Sequence, residues 1–263
     1  MSELDILQKE LFSRYGNVTR ARGCFLYTQK GVRLTDLYQE GGRAILGWGG
    51  TSAFTMLKNT LNRGITGSFE TGFRYRTVKA VCTLFNSERD VFFYSSYENA
   101  LKAALLISKD GVNKYQPWST SSINWTECPV IIFTPTLPWT QNLFMVASLT
   151  GLASEVRELL PREILVPSPL HAALARSIYD LRKALQERKE SDWFIYDTVL
   201  TKYWERRGPY LFPKIPEEKY REFVLYCLER HIVISPEYNV PSIVPFGADK
   251  GVFTLLKNEP FSW

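Results

Sequence analysis

The chain has 263 residues, of which 45% are hydrophobic and 22% charged, with a formal net charge of +5. That apolar content buries a real core in one large domain or two modest ones. The mild positive excess is spread along the chain and forms no Lys/Arg block. This excludes a nucleic-acid arm, and short clusters such as Arg206-Arg207 read as solvated surface.

Residues 2–15 read as a helix, because Leu4, Leu7, Leu11 and Phe12 share one face at helical spacing. Phe25 and Tyr27 lead into a Gln29-Lys30-Gly31 turn and residues 32–37 return, so a hairpin is predicted. Glycines then crowd at Gly41-Gly42, Gly47 and Gly49-Gly50, where the backbone must turn sharply or pass close to something. Residues 52–61 and 74–84 are predicted helices. Residues 90–94 form a buried strand that runs through Ser95-Ser96-Tyr97-Glu98 into a helix over 99–108, rich in Ala and Leu. A turn around Lys109 and a Ser/Thr-rich loop over 119–126 follow.

No charge occurs between Glu127 and Glu155, a length that spans a bilayer. Pro129, Pro135 and Pro138 interrupt the stretch, so Val130-Ile-Ile-Phe and Leu143-Phe-Met-Val-Ala are read as two short buried strands and no membrane span is expected. Residues 149–160 are predicted helical. A long helix over 170–187 carries Leu174, Ile178, Leu181 and Leu185 on its apolar side. A further helix over 193–206 is stopped by Arg207-Gly208-Pro209, and another over 216–230 starts with Pro216, Glu217 and Glu218. A short strand over 232–235 and a final helix around 250–256 complete the order. Strand–helix alternation followed by mostly helices gives an α/β fold with a helix-rich second part.

Cys24, Cys82, Cys128 and Cys227 are far apart and in no paired motif. With the acidic start Met1-Ser-Glu-Leu-Asp, which lacks the order of an export signal, they read as free thiols of a cytoplasmic protein. His171 and His231 have no second ligand at metal spacing, so no metal site is expected, and His231 reads as a charge partner for a helix C-terminus. No Gly-x-Ser-x-Gly elbow and no nucleotide-binding glycine loop is present. The best candidate site is the strand–turn–helix at Ser95, Ser96 and Tyr97, because a helix N-terminus offers N–H groups and a positive dipole end to a phosphate. The alternative is that one Ser only caps the helix, with Glu98 as its capping-box partner.

Several segments resemble the class III aminotransferases, a fold-type-I pyridoxal phosphate family that includes glutamate-1-semialdehyde aminomutase. Arg22-Gly-Cys-Phe-Leu-Tyr-Thr-Gln-Lys-Gly-Val-Arg-Leu-Thr-Asp-Leu is similar to that family's Arg-Gly-x-Gly-x-x-Leu-Tyr-Asp-x-(Asp)-Gly-x-Arg-Tyr-Leu-Asp-Leu. Gly41-Gly-Arg-Ala-Ile-Leu-Gly-Trp resembles its run ending Leu-Gly-His, with Trp48 where His is usual. Val91-Phe-Phe-Tyr-Ser-Ser-Tyr-Glu resembles the segment that holds the cofactor phosphate, and Pro167-Ser-Pro-Leu-His-Ala-Ala resembles the start of the interdomain helix.

The resemblance implies a reduced fold type I. Residues 1–48 would pack with the small domain and a dimer partner, 49–165 would be a large domain with a shortened sheet, and 166–263 an α+β small domain. It also implies a vestigial phosphate turn at Ser95, Ser96 and Tyr97. The chain departs from the family where catalysis resides. It falls short between residues 108 and 130, the region that in the family carries the stacking aromatic and the ring-nitrogen aspartate, and no Asp-Glu pair occurs anywhere. Where the Schiff-base lysine should follow a strand the chain reads Phe133-Thr-Pro-Thr-Leu-Pro, and no lysine lies between Lys114 and Lys183. The phosphate-reaching threonine of the partner subunit would fall near Ile164. Without the amine that forms the aldimine and the acid that makes the ring an electron sink, no pyridoxal phosphate is expected to serve, although Lys102 and Lys114 are the nearest substitutes.

Two readings follow. One is a non-catalytic pseudo-enzyme acting as a scaffold or regulatory protein, a homodimer or a heterodimer with a full-length aminotransferase relative, with Trp118, Trp125 and Trp139 filling the old cleft. The other is a binder or transferase for a phosphorylated metabolite or amino acid, using a rebuilt pocket at 95–97 and 41–50.

Overall fold

A computed structural model describes residues 2–49, 51–67, 69–109, 111–120 and 122–263. The chain divides into two compact units, Met1–Gly49 with Arg188–Trp263, and Gly50–Glu187. The long helix that follows residue 165 belongs wholly to the second unit.

The first unit opens with α1 (Glu3–Tyr15). Ser2 caps it in a reciprocal capping box with Asp5, which satisfies two N-terminal donors. Tyr15 donates its hydroxyl to the Leu228 carbonyl at 2.8 Å, which fixes the helix end. Three strands follow, β1 (Val18–Arg22), β2 (Phe25–Thr28) and β3 (Arg33–Asp36), paired antiparallel in sequence. The predicted hairpin is β2–β3. Strand β1 has no expectation behind it, since Val-Thr-Arg-Ala-Arg is nearly all exposed and carries no apolar alternation.

The second unit begins with α2 (Thr51–Asn62) and α3 (Phe73–Phe85), close to the predicted helices. Strand β4 (Arg89–Tyr94) leads into α4 (Tyr97–Ile107). A two-residue β5 (Asn113–Lys114), β6 (Val130–Phe133) and β7 (Phe144–Leu149) complete a sheet in the order β4-β7-β6-β5. Strand β7 runs antiparallel to both neighbours, while β5 and β6 are parallel. Phe92, Tyr94, Val130, Ile132 and Val146 on one sheet face meet Ala100, Ala103 and Ala104 of α4, whose small side chains let the helix lie close. The helix predicted over 149–160 does not form. β7 takes Leu149, Gly151 turns the chain at φ 87°, and only a single 3₁₀ turn, Arg157–Leu159, remains. The unit closes with α5 (Ser168–Glu187), which buries Leu174, Ile178 and Leu181 as read, with Ala184 rather than Leu185 as its last fully buried position.

One buried cation organises this sheet. Arg89 is 2% exposed and donates to the carbonyls of Cys128 at 2.9 Å and Trp125 at 2.7 Å, and to Ser87 Oγ at 2.9 Å. Longer bonds reach the carbonyls of Thr126 and Ala147. A flat, five-donor guanidinium can pin a loop in this way, and it ties residues 125–128 to the start of β4.

The chain returns to the first unit through two single helical turns, α6 (Ser191–Phe194) and α7 (Asp197–Leu200), and a hairpin of β8 (Trp204–Arg207) and β9 (Tyr210–Pro213). The helix predicted over 193–206 is therefore broken. Trp193, Tyr196, Leu200 and Tyr203 do bury at helical spacing, but Arg206 folds back onto Asp197 with two bonds of 2.6 and 2.9 Å, and Gly208 turns the hairpin at φ 57°. Then come α8 (Glu217–Glu229), β10 (Ile232–Val233), β11 (Ser242–Ile243) and α9 (Thr254–Asn258). β10 adds to β3 in parallel and β11 to β9 antiparallel. All four cysteines are free.

Candidate functional site

The β4–α4 junction is where sequence reasoning located a site. Phe92 and Tyr94 face α4, and Phe93 points the other way, its ring 5.0 Å from that of His171 on α5. This clamps the strand end on both sides. The chain then emerges with Ser95 exposed and Ser96 half-buried. Ser96 is the N-cap, in extended conformation, and its hydroxyl accepts from Asn99 N–H at 3.2 Å. Glu98 sits at the second helical position and takes no part, so the capping box expected with Glu98 is replaced by a simple cap on Asn99. Tyr97 is 41% exposed; its ring lies edge-on to Phe144 at 6.0 Å, and the Lys114 ammonium stands 5.7 Å from its centroid. Ser95, Ser96 and Tyr97 are thus consecutive at one helix start, joined there by a lysine from β5. Lys102 lies exposed on α4.

The segment after β6 is packed rather than open. Thr136 and Ser177 of α5 share a hydroxyl–hydroxyl contact of 3.2 Å, and Ser177 also donates to the Thr136 carbonyl at 3.0 Å. Leu137 is 1% exposed. Ile164 N–H bonds the Phe93 carbonyl at 3.0 Å, and the Glu163 carboxylate accepts from Phe93 N–H and Arg74, so residues 163–164 line the free edge of β4. Of the tryptophans read as filling side chains, Trp125 rests edge-on against Tyr115 at 5.0 Å, and Trp118 is half-buried. Trp139 is 65% exposed at φ 74° and fills nothing, because the buried Pro138 and Thr140 on either side turn it outward.

His171 is a core group. It is 4% exposed, its Nδ1 lies 3.1 Å from Thr77 Oγ1, and burial, helped by the charge of Arg74, holds its pKa down at about 4. His231, two residues past the end of α8, has φ 63° and its ring edge-on to Tyr15. Among the described residues no group of three or more His, Cys, Asp or Glu could hold a metal, and no helix is long and apolar enough to cross a membrane.

A second locus, in the first unit, was read from the sequence only through the glycine-rich 41–50 stretch offered as pocket wall, and Asp36 was missed. Asp36 ends β3 at 1% exposure. Its Oδ1 accepts from Tyr38 and Gln39 N–H at 2.9 Å each, and its Oδ2 from Trp48 Nε1 at 2.6 Å. Burial pushes its pKa up to about 6 against these bonds, and nearby Glu40 adds to the rise. The carboxylate starts a left-handed turn in which Gln39, Glu40, Gly41 and Gly42 all have positive φ, at 46°, 54°, 62° and 97°. For the two residues with side chains this costs roughly 1–2 kcal/mol each. Beside this turn, between α1 and the β1–β2–β3 sheet, opens a cavity of about 350 Å³. Trp48 standing where the resembled family has His was the other local signal.

No family model matches the chain. It is 26% identical over 297 residues to an uncharacterized protein of Treponema pallidum (strain Nichols), covering 92% of this chain and 93% of that one. An uncharacterized protein of Borreliella burgdorferi is 27% identical over 255 residues, covering 93% and 90%. Among solved structures, Plasmodium falciparum ornithine delta-aminotransferase superposes with a TM-score of 0.65 at 9% identity, over 98% of this chain and 97% of that one. Acetylornithine aminotransferase from Elizabethkingia anophelis gives 0.66 at 10% identity, over 97% and 96%, and an omega-transaminase from Sphaerobacter thermophilus gives 0.59 at 10%, over 91% and 89%. The fold is that of the fold-type-I, pyridoxal-phosphate-dependent aminotransferases in shortened form.

Proposed function

We propose that this chain is a non-catalytic, aminotransferase-like pseudo-enzyme of the class III type that works in the cytoplasm as a dimeric scaffold or regulatory protein. The observation that carries the reading is the strand end after β6. The resembled family has its Schiff-base lysine there, and this chain has Thr134-Pro135-Thr136, fastened by hydroxyl and backbone bonds to α5. The residues present do not fit the cofactor: Tyr97 replaces a small residue at the phosphate turn, and no lysine stands at the end of β6. No catalytic step through the cofactor is therefore assigned. The partner is a second copy or a full-length aminotransferase relative, with residues 1–48 contributing to the interface. Light scattering on the purified chain, alone and mixed with such a relative, tests the scaffold: a dimer supports it, and a monomer under both conditions overturns it.

One observation favours the second reading. Lys114 brings a cation beside Tyr97 at the first turn of α4, where Ser95 is exposed. A phosphorylated metabolite or amino acid bound there would weaken with Lys114→Ala. Titration calorimetry with inorganic phosphate and phosphoserine that gave no heat would remove this alternative.

A further inference from the structure

The cavity under α1 has a chemistry of its own. α1 supplies Leu4, Leu7, Leu11 and Phe12 to its wall, and the sheet opposite supplies Leu26 and Val233. At about 350 Å³ it lies at the small end of ligand pockets. Only Leu7 of the four α1 side chains is fully buried, and Phe12 remains 59% exposed, so the helix overhangs the space rather than closing it.

The polar end is one-sided. Among the described residues the lining holds two carboxylic acids, Asp36 and Glu40, and no Lys, Arg or His, the nearest cation being Arg43 beside Glu40 and Tyr38. Two aromatic residues, Trp48 and Tyr38, belong to the same lining. The Trp48 N–H is committed to Asp36 at 2.6 Å, and donation to a carboxylate makes an indole ring more electron-rich and a better host for a cation. The left-handed turn at 39–42 carries Glu40 into this lining, at a conformational cost that packing elsewhere in the unit offsets.

We propose that this cavity binds a small organic ammonium ion, with its hydrocarbon body along α1 and its charged head against Trp48, Tyr38, Asp36 and Glu40. An anion is excluded by the two acids, and a neutral molecule of the same length gains only the apolar half of the site. The site lies within the first unit, shares no residue with the 95–97 turn, and does not depend on the scaffold reading.

Titration calorimetry on the full chain with hexylammonium, 1-hexanol and hexanoate tests it. Hexylammonium is expected to bind about tenfold more tightly than hexanol, the margin a desolvated cation–aromatic contact provides, and hexanoate not at all. Trp48→Leu is expected to erase the preference for ammonium over hexanol while hexanol binding persists. Equal binding of the three, preference for hexanoate, or absence of hexylammonium binding at millimolar concentration would overturn the proposal. The wild-type ligand series decides the matter even where the variant does not fold.

Discussion

Replacing Arg89 with Met preserves much of the side chain's apolar length and removes its donors. Three acceptors then lose short bonds, the Cys128 and Trp125 carbonyls and Ser87 Oγ. An acceptor left without a donor in a buried site costs about 1–3 kcal/mol, and hydrogen bonds to a charged group are the stronger kind. Against this, the variant no longer buries a guanidinium, which relieves part of the loss. Burial also holds the pKa of Arg89 below the usual arginine value, as that cost requires. The net expectation is a loss of about 3 kcal/mol, read as a lowered urea midpoint at unchanged slope. Arg89→Lys, with fewer donors and a compact head, should recover only part of it. A loss below about 1 kcal/mol for Arg89→Met would refute the view that carbonyl coordination by this cation holds residues 125–128.

His171 and Asp36 give opposite pH responses in different units. The pKa of His171 falls from 6.5 to about 4 on folding, so its contribution is complete above 6.5 and drains away as pH falls toward 4, by about 3 kcal/mol. His171→Phe should flatten that acid limb in pH-dependent unfolding. The pKa of Asp36 rises from 3.8 to about 6, so the folded state holds its proton more tightly; this group adds stability as pH drops from 6 to 3.8 and removes it on the way up, again by about 3 kcal/mol. Asp36→Leu should abolish that component in the same titration. Ser96→Ala should cost about 1 kcal/mol as a lost helix cap. Gly47→Ala should cost about 2 kcal/mol, because φ is +99° and its Cβ would meet Gly23 Cα at 3.3 Å.

The sequence carried the elements whose apolar spacing is strong. The buried run at 90–94, the Val130 and Leu143 strands and the long helix at 170–187 are all present, because in each the burial that drives folding also writes the pattern. What it did not carry was structure made by pairing alone. β1 is solvent-facing, β5 and β11 are two residues long, and none of them leaves a periodic trace. Around residues 193–206 the helical spacing is real, yet an Arg206–Asp197 contact and a glycine turn outweighed it. At the candidate site, the strand–Ser–Ser–helix order was legible, whereas the approach of Lys114 to Tyr97 depends on a parallel pairing across the sheet that no local motif encodes. Likewise Asp36 and Trp48 are twelve residues apart, and the left-handed turn between them, with the backbone pairing of Trp48 to Gly23, brings the indole to the carboxylate.

The central claim is that no amine is placed in this fold to hold pyridoxal phosphate as an internal aldimine. Purified chain incubated with an equimolar amount of the cofactor, reduced with borohydride and mapped by peptide mass should show only scattered trace labelling of exposed lysines and no dominant site. A stoichiometric phosphopyridoxyl adduct on a single lysine, Lys114 above all, would contradict it.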